Sequence, residues 1–241
     1  MSLYTDIHSH IMPGVDDGAQ SMDESIAMLE HAQKEHIGRI ILTPHQKPDR
    51  KCVSTEGIRK RIDQLTELSQ SLNFNIELFP GSELFYCHEL KERLENGSLC
   101  TLAGSHYVLV EFLPGESWNY IRDGLYDLSS AGYWPVVAHV ERYGEVIVNS
   151  DRVQELIDMG CYIQVNAGSI TGDWGFATKR ACFRLLKERQ VHFIGTDAHR
   201  SSGKRSLHME KCAQLLKKKT GNYAEKILWK NAENIFADME L

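Results

Sequence analysis

The sequence predicts an α/β fold in which seven parallel strands close, or nearly close, into a (β/α) barrel. Short runs rich in β-branched and aromatic residues alternate with longer segments of helical period along the chain of 241 residues. Strands that alternate with helices pair in parallel through helical crossovers. No repeat, linker or low-complexity tract divides the chain, so we expect a single domain over residues 1–241. Periodicity alone also allows an open, doubly wound sheet.

Seven segments have the length and composition of strands, and each is followed by a segment of helical period. The predicted strands are Tyr4–His8, Arg39–Thr43, Asn75–Pro80, Tyr107–Phe112, Trp134–His139, Cys161–Val165 and Val191–Thr196. The predicted helices are Asp23–Glu35, Thr55–Leu72, Glu89–Glu95, Tyr120–Ala131, Asp151–Met159, Phe176–Arg189 and Ser206–Lys219. Gly38, Gly132 and Gly160 each follow a predicted helix, where a left-handed residue commonly ends it.

Composition is that of a globular protein. Hydrophobic residues make up 42% of the chain, enough for a sizeable core, and the formal net charge of -6 is spread along it. This charge does not predict a nucleic-acid surface, and it requires that an anionic substrate be held by locally placed cations. The six cysteines contain no Cys-x-x-Cys pair, which favours free thiols in a reducing compartment.

The N-terminus has neither the basic stretch nor the apolar run of a signal peptide, because Asp6, His8 and His10 fall where that run would be. No apolar stretch approaches the roughly 20 residues that a membrane helix needs. We therefore expect a soluble, cytoplasmic protein that neither inserts into a membrane nor binds nucleic acid.

The most informative pattern is the placement of metal-competent side chains at the ends of predicted strands. Six of the seven strands carry such a residue at or just beyond the C-terminal end: His8 and His10, then His45, Glu83, Glu111, His139, and finally Asp197 with His199. Asp16 and Asp17 lie in the loop beyond the first strand. In parallel barrels the active site forms at this end of the strands.

The spacing of these residues supports a shared metal site. In His8-x-His10 both side chains lie on one face of an extended segment, and Asp197-x-His199 repeats that geometry. Imidazole and carboxylate donors suit Zn²⁺, Mn²⁺ or Fe rather than a thiolate site. A single strand-end histidine would more often be solvated or capping. The other six histidines fall on helices, loops or strand starts and are expected to be structural or surface residues: His31, His36, His88, His106, His192 and His208.

Four stretches of the sequence resemble one known superfamily. They are DIHSHIMPGVDDGA at Asp6–Ala19, VEF at Val110–Phe112, AHVERY at Ala138–Tyr143 and LIDMGCYIQVN at Leu156–Asn166. In these residues the chain resembles the PHP (polymerase and histidinol phosphatase) superfamily and, within it, the bacterial protein-tyrosine phosphatases of capsule and exopolysaccharide operons. The resemblance implies a distorted seven-stranded barrel of the PHP type with its active site at the C-terminal ends of the strands. It also implies hydrolysis of phosphotyrosine on a partner protein, foremost an autophosphorylating kinase of polysaccharide export.

The same resemblance implies up to three divalent or trivalent metal ions, manganese foremost, with iron or zinc as alternatives. One ion would be held by His8, His10, Glu83 and Asp197; a second by Glu83, Glu111 and His139, with Glu83 as the bridge; and a third by Asp17, His45 and His199. Metal-activated hydroxide would then attack the phosphate ester. Arg142 and Arg205 would bind the phosphate, although Lys204 stands at the family's usual distance from the last Asp-x-His pair.

Two alternatives remain open at this point, and a third is rejected. The chain could hydrolyse a small ester such as histidinol phosphate or a sugar phosphate, or it could bind metal without catalysis. A thiol mechanism would use Cys87 and Arg93, which have Cys-x5-Arg spacing, but the intervening residues include two glutamates, no glycine for a phosphate loop, and a predicted helix. Among the aromatic residues, Trp134 is expected in the core, while Tyr143 and Trp174 suit the mouth of the site and the surface equally.

Overall fold

The computed structural model describes residues 3–50 and 52–241 and has an α/β architecture with parallel strands. The strands in these ranges are β1 (Tyr4–Ser9), β2 (Ile37–Leu42), β3 (His45–Gln46), β4 (Glu77–Pro80), β5 (Glu83–Phe85), β6 (Tyr107–Glu111), β7 (Trp134–Val137), β8 (Tyr162–Asn166) and β9 (Phe193–Gly195). The α-helices are α1 (Met22–Lys34), α2 (Thr55–Ser71), α3 (Leu90–Glu95), α4 (Trp118–Ser130), α5 (Gly144–Ile147), α6 (Ser150–Asp158), α7 (Ala167–Thr171), α8 (Phe176–Lys187), α9 (Met209–Thr220), α10 (Tyr223–Glu225) and α11 (Asn231–Ala237). A π-helix at Lys226–Lys230 joins the last two.

The strands form a curled parallel sheet in two ladders. One ladder has the order β1-β2-β4 and the other β3-β5-β6-β7-β8-β9, and all of these pairings are parallel. Beyond β9 the chain returns to β1 through a parallel bridge between Ser9 and Ala198. There the N–H of Asp197 donates to the carbonyl oxygen of His8 at 2.8 Å, and the N–H of His10 donates to that of Ala198 at 2.9 Å. The curl therefore brings the last strand beside the first.

The strand pattern differs from the seven continuous strands of the prediction at two places. The second and third predicted strands correspond to β2 and β4, and beyond a break at Pro44 and another at Gly81 each is followed by a short strand that was not predicted, β3 and β5. Pro44 has no N–H to donate to a ladder. At Gly81 a Cβ atom would lie 2.6 Å from the side chain of Ile41, so only glycine allows this approach. Beyond both breaks β3 pairs with β5, and His45 lies directly opposite Glu83.

All seven predicted helices are present, each within three residues of its predicted ends. One predicted helix stop is wrong. Gly132 and Gly160 do adopt the left-handed conformation, with φ of 87° and 85°, but Gly38 lies inside β2 and His36, with φ of 60°, takes the left-handed conformation instead. Close packing requires glycine at position 38, because a Cβ atom there would lie 2.5 Å from the side chain of Leu3.

Alternation along the strands separates two groups of apolar residues. In β6, Tyr107 and Leu109 belong to a small cluster, whereas Val108 and Val110 belong to the large cluster that the helices share. Successive side chains of a strand point to opposite faces of the sheet. Glu111 therefore lies on the same face as Tyr107 and Leu109 and continues it with a carboxylate.

All six cysteines lie in the described ranges and are free thiols, as the sequence predicts. Four of them are buried and two are partly buried. Within these ranges no helix combines the length and the apolar character required to cross a membrane.

His192 provides a test of the fold through its protonation state. Its Nδ1 accepts a hydrogen bond from the backbone N–H of Ile163 at 3.0 Å, and burial lowers its pKa from 6.5 to about 4. Because the pKa is lower in the folded state, the unfolded state takes up the proton first as the pH falls. The contribution of His192 to the free energy of unfolding is therefore complete above pH 6.5 and decreases by on the order of 3 kcal/mol as the pH falls through 4.

We predict that His192→Asn, which keeps an acceptor oxygen but does not titrate, loses less stability than the unaltered protein between pH 6.5 and 4. Urea unfolding at several pH values measures this difference. His88→Gln, at an exposed histidine, serves as the control and leaves the pH dependence unchanged. An equal pH dependence in the His192→Asn variant would contradict the prediction.

Candidate metal centre

The nine residues predicted as metal ligands converge in the structure. Four groups have potential ligand atoms within 4.8 Å of one another: His10, Asp17, His45 and His199; His8, His10 and Asp197; His8, Glu83 and His139; and His45, Glu83 and Glu111. The groups share members, so they form one continuous cluster. Six of the nine residues lie at or just beyond the C-terminal end of a strand. His45 and Glu83 lie just beyond β2 and β4, as the first residues of β3 and β5, and Asp17 reaches the cluster from the loop after β1.

Glu83, the first residue of β5, lies at the centre of this cluster and is fully buried. Its Oε1 is 2.8 Å from Nε2 of His139 and 3.3 Å from Nε2 of His8. Its Oε2 is 2.8 Å from Nδ1 of His45 and 3.3 Å from Nε2 of His10. Each carboxylate oxygen therefore faces a different pair of imidazoles, which is the arrangement of a bridging ligand.

Hydrogen bonds orient three of the imidazoles with one nitrogen toward the cluster. Nδ1 of His8 lies 3.2 Å from Oε1 of Gln164, and Nδ1 of His10 lies 2.8 Å from Oδ2 of Asp16. Nδ1 of His199 lies 2.9 Å from the carbonyl oxygen of Asp197. Because each partner oxygen accepts, Nδ1 carries the proton and the Nε2 lone pair faces inward. This tautomer is the one that a metal ligand requires.

Four buried atoms of the cluster have no hydrogen-bond partner: His45 Nδ1, Glu83 Oε2, Glu111 Oε1 and His199 Nε2. His45 Nδ1 and Glu83 Oε2 are 2.8 Å apart, but their orientation does not make a hydrogen bond. Buried polar atoms without a partner are rare because each costs free energy. A metal ion would satisfy all four, so the donor set fits an ion that accepts nitrogen and oxygen ligands.

Electrostatics also favour positive charge in the cluster. Burial alone lowers the pKa of His45, yet Glu83, Asp17 and Glu111 together raise it to about 12. Burial also lowers the pKa of His10, but Asp16 and Glu83 outweigh this effect and raise that pKa to about 9. Burial would raise the pKa of Glu83, but the imidazoles around it hold that pKa well below its usual range. Protons and metal ions compete for these lone pairs, so metal binding releases protons.

Backbone strain is present at two of the cluster residues. His139 has φ of 33° and Asp197 has φ of 52°, both in the left-handed region that non-glycine residues rarely adopt. Such conformations cost about 1–3 kcal/mol each and persist where the surroundings impose them. The N–H of His139 donates to Oε1 of Gln164 at 2.7 Å, and that of Asp197 donates to the carbonyl oxygen of His8. These contacts hold both side chains toward the cluster.

Supporting polar residues surround the cluster, and the sequence analysis assigned them no role. Asn166 donates from Nδ2 to Oδ2 of Asp197 at 2.9 Å, and Gln164 donates from Nε2 to Oδ1 of Asn166 at 2.8 Å. Asp6 accepts from the backbone N–H of Thr196 at 2.9 Å and from its hydroxyl at 2.5 Å, and burial raises the pKa of Asp6 to about 6. The sequence could have identified Gln164 and Asn166 by their polar side chains at alternate positions of a buried strand.

The loop after β1 closes over the cluster through Asp16 and Gly18. Besides His10, Asp16 accepts hydrogen bonds from the backbone N–H of His45 at 3.0 Å and of Gly18 at 2.8 Å. At Gly18 a Cβ atom would lie 2.1 Å from the carbonyl oxygen of His10, so the loop requires glycine there. Asp16 therefore both orients a cluster histidine and caps the loop, while Asp17 faces the cluster.

Cationic side chains border the cluster. Nη2 of Arg142 lies 2.5 Å from Oδ2 of Asp197, and its side chain is about one third exposed. Nη1 of Arg205 lies 3.0 Å from Oδ2 of Asp17, whereas Lys204 is exposed. Two further cations were not predicted. Nη1 of Arg200 donates to the carbonyl oxygen of Asp17 at 2.9 Å, and Nζ of Lys47 lies 3.4 Å from Oε1 of Glu111.

The remaining candidates lie apart from the cluster or take other roles. Among the described residues, the six histidines expected to be structural or surface residues belong to none of the four groups. Burial raises the pKa of Cys87, which does not suit a thiolate nucleophile. Tyr143 is fully buried beside His139, its hydroxyl 3.4 Å from Nδ1, so it lies neither at the mouth nor on the surface. Trp134, expected in the core, is partly buried and packs against the small cluster that contains Tyr107 and Leu109.

The family described as capsular polysaccharide synthesis, CpsB/CapC, matches residues 4–237. The tyrosine-protein phosphatase CpsB of Streptococcus pneumoniae is 33% identical over 97% of this chain and 95% of its own. The tyrosine-protein phosphatase YwqE of Bacillus subtilis is 32% identical over 95% of this chain and 89% of its own.

Solved structures also resemble this chain. A chain from the crystal structures of YwqE from Bacillus subtilis and CpsB from Streptococcus pneumoniae, described as unique metal-dependent tyrosine phosphatases, has a TM-score of 0.91 at 31% identity and covers 98% of this chain and 95% of its own. Histidinol phosphate phosphatase from Lactococcus lactis has a TM-score of 0.59 at 15% identity over 90% of this chain and 92% of its own, which shows a shared fold alone. The family match extends over nearly the whole sequence, and this chain therefore belongs to the CpsB/CapC family of capsular polysaccharide synthesis.

Proposed function

We propose that this protein is a metal-dependent phosphomonoester hydrolase that acts on phosphotyrosine. The observation that carries the proposal is the convergence of nine imidazole and carboxylate side chains, Glu83 at their centre, with the partly exposed side chain of Arg142 at the edge. Relatives that match nearly the full chain are named tyrosine-protein phosphatases. The substrate that best fits a family of capsular polysaccharide synthesis is an autophosphorylating tyrosine kinase of that pathway. We further propose that the chain acts in the cytoplasm as a single domain.

Three metal positions account for the cluster. We assign the first to His8, His10, Glu83 and Asp197; the second to Glu83, Glu111 and His139; and the third to Asp17, His45 and His199. Manganese is the foremost candidate, and iron or zinc would accept the same donors. When bound, such ions supply Lewis acidity that activates water as a nucleophile and neutralises charge on the phosphate.

Arg142 and Arg205 bind and orient the phosphate in the proposed reaction. Arg142 approaches the cluster through Asp197, and Arg205 approaches it through Asp17, so the two guanidinium groups border different sides. A guanidinium can donate two parallel hydrogen bonds to phosphate oxygens. The leaving group of phosphotyrosine is a phenol with a pKa of about 10, which departs more readily than an alkyl alcohol. Charge stabilisation and orientation of the phosphate are therefore the main tasks of these side chains.

Substrate preference and metal dependence test the proposal together. Manganese-loaded protein is offered a phosphotyrosine peptide, the same peptide with phosphoserine, histidinol phosphate and a sugar phosphate. We expect the highest kcat/KM for the phosphotyrosine peptide, loss of turnover after exhaustive chelation, and recovery when Mn²⁺ is restored. Preference for a small metabolite would replace the proposed substrate. Undiminished turnover by fully chelated protein would refute the metal mechanism.

Glu83→Gln tests the central position of this carboxylate. The change removes one negative charge that four imidazoles share, so we expect less metal to remain after dialysis and kcat/KM to fall by at least about 100-fold. Elemental analysis measures the bound metal independently of activity. Glu77→Gln, at an exposed carboxylate on β4, is the matched control and should retain both metal and turnover. Full metal content in Glu83→Gln would speak against a bridging role.

Cys87→Ser separates the metal mechanism from a thiol mechanism. Because burial raises the pKa of Cys87 and Arg93 lies in helix α3 rather than in a phosphate loop, the thiol has no part in the proposed reaction. We expect kcat/KM for the phosphotyrosine peptide to stay within about twofold of the unaltered protein. An inactive Cys87→Ser variant with normal metal content would overturn the assignment.

A further inference from the structure

Trp174 is a large aromatic side chain that remains 43% exposed in the loop between α7 and α8. This loop follows the C-terminal end of β8, the strand whose last residue, Asn166, donates to Asp197 of the cluster. Phe176, at the start of α8, is 79% exposed. Tryptophan is enriched at binding interfaces because its ring is apolar and its N–H is polar.

The loop holds the indole in one place. A Cβ atom at Gly168 would lie 3.3 Å from Nε1 of Trp174, so the edge of the indole lies against the backbone of α7. The N–H of Asp173 donates to the carbonyl oxygen of Gly168 at 3.0 Å, and the hydroxyl of Thr171 donates to the carboxylate of Asp173. Lys179 donates to the carbonyl oxygen of Thr171 at 3.2 Å. The indole is therefore placed by backbone contacts on a short, tied loop.

Arg142 connects this indole to the cluster. Its guanidinium carbon lies 5.7 Å from the centre of the Trp174 ring, while its Nη2 lies 2.5 Å from Oδ2 of Asp197. A phosphate that accepts hydrogen bonds from Arg142 is therefore adjacent to the indole. Any group esterified to that phosphate and directed toward solvent on this side meets the exposed part of Trp174.

We propose that Trp174 determines substrate specificity by packing against the aromatic ring of phosphotyrosine. This inference rests on the proposed function and names the side chain that reads the ring. In phosphotyrosine a single ester oxygen separates the phosphate from a rigid ring, so a phosphate beside Arg142 places the ring within reach of the indole. Phosphoserine offers only a methylene group at that position and gains little from an aromatic surface.

A purely structural role for Trp174 makes a different prediction. If the indole only positions Arg142 through a cation–π contact, its loss weakens the binding of every phosphate to the same extent. If it contacts the substrate ring, its loss weakens aryl esters and leaves inorganic phosphate unaffected. Inorganic phosphate has no ring, so its inhibition constant separates the two roles.

The test compares Trp174→Ala with the unaltered protein, both loaded with Mn²⁺. We expect kcat/KM for a phosphotyrosine peptide to fall about tenfold, mostly through KM, because an aromatic pair contributes up to about 1.5 kcal/mol. The inhibition constant of inorganic phosphate stays within about twofold. Trp174→Phe keeps an aromatic face and restores most of the lost kcat/KM.

Trp118→Ala is the matched control, because Arg152 lies over the Trp118 ring at 5.3 Å in a second arginine–indole pair. Thermal unfolding of every variant verifies that it is folded, and Trp118→Ala leaves KM for the peptide unchanged. Equal weakening of peptide and inorganic phosphate in Trp174→Ala, or no change in either, would overturn the inference while the proposed function stands. No turnover of phosphotyrosine by the unaltered, metal-loaded protein would overturn both.

Discussion

The buried carboxylate of Glu83 and the four imidazoles around it are the interaction on which the rest of the site depends. A buried charge is costly unless it is paired and hydrogen-bonded. Here the pairing groups come from the ends of several strands, so the fold must deliver them to one point. The breaks at Pro44 and Gly81 are part of this requirement, because they let β3 and β5 pair and set His45 opposite Glu83. The same breaks made the strand pattern harder to predict.

Charge is arranged in two layers at this end of the sheet. Carboxylates and imidazoles form the cluster, and the guanidinium groups of Arg142 and Arg205 border it, each paired with one of its carboxylates. A chain with a formal net charge of -6 can thus present local cations to an anionic substrate. Because Asp197 and Asp17 contact both the proposed metal positions and the arginines, metal binding and phosphate binding are physically linked.

The site combines local strain with tight support. His139 and Asp197 hold left-handed backbone conformations, and the hydrogen bonds that their N–H groups donate to residues of β8 and β1 compensate for the strain. Beyond this network, the loop that carries Trp174 is tied to α7 by backbone contacts. The proposed metal ligands and the proposed aromatic contact are therefore both held by hydrogen bonds to neighbouring residues.

The sequence by itself determined the α/β class, the seven helices near their observed bounds and the nine residues that converge, because strand alternation and polar strand ends are local patterns. It did not reveal the short strands β3 and β5, since segments of two and three residues have no periodicity to read. Nor could it place Tyr143 in the interior or assign Gln164 and Asn166 to support the cluster. Those outcomes depend on contacts between residues far apart in the chain, and only the curl of the sheet decides them.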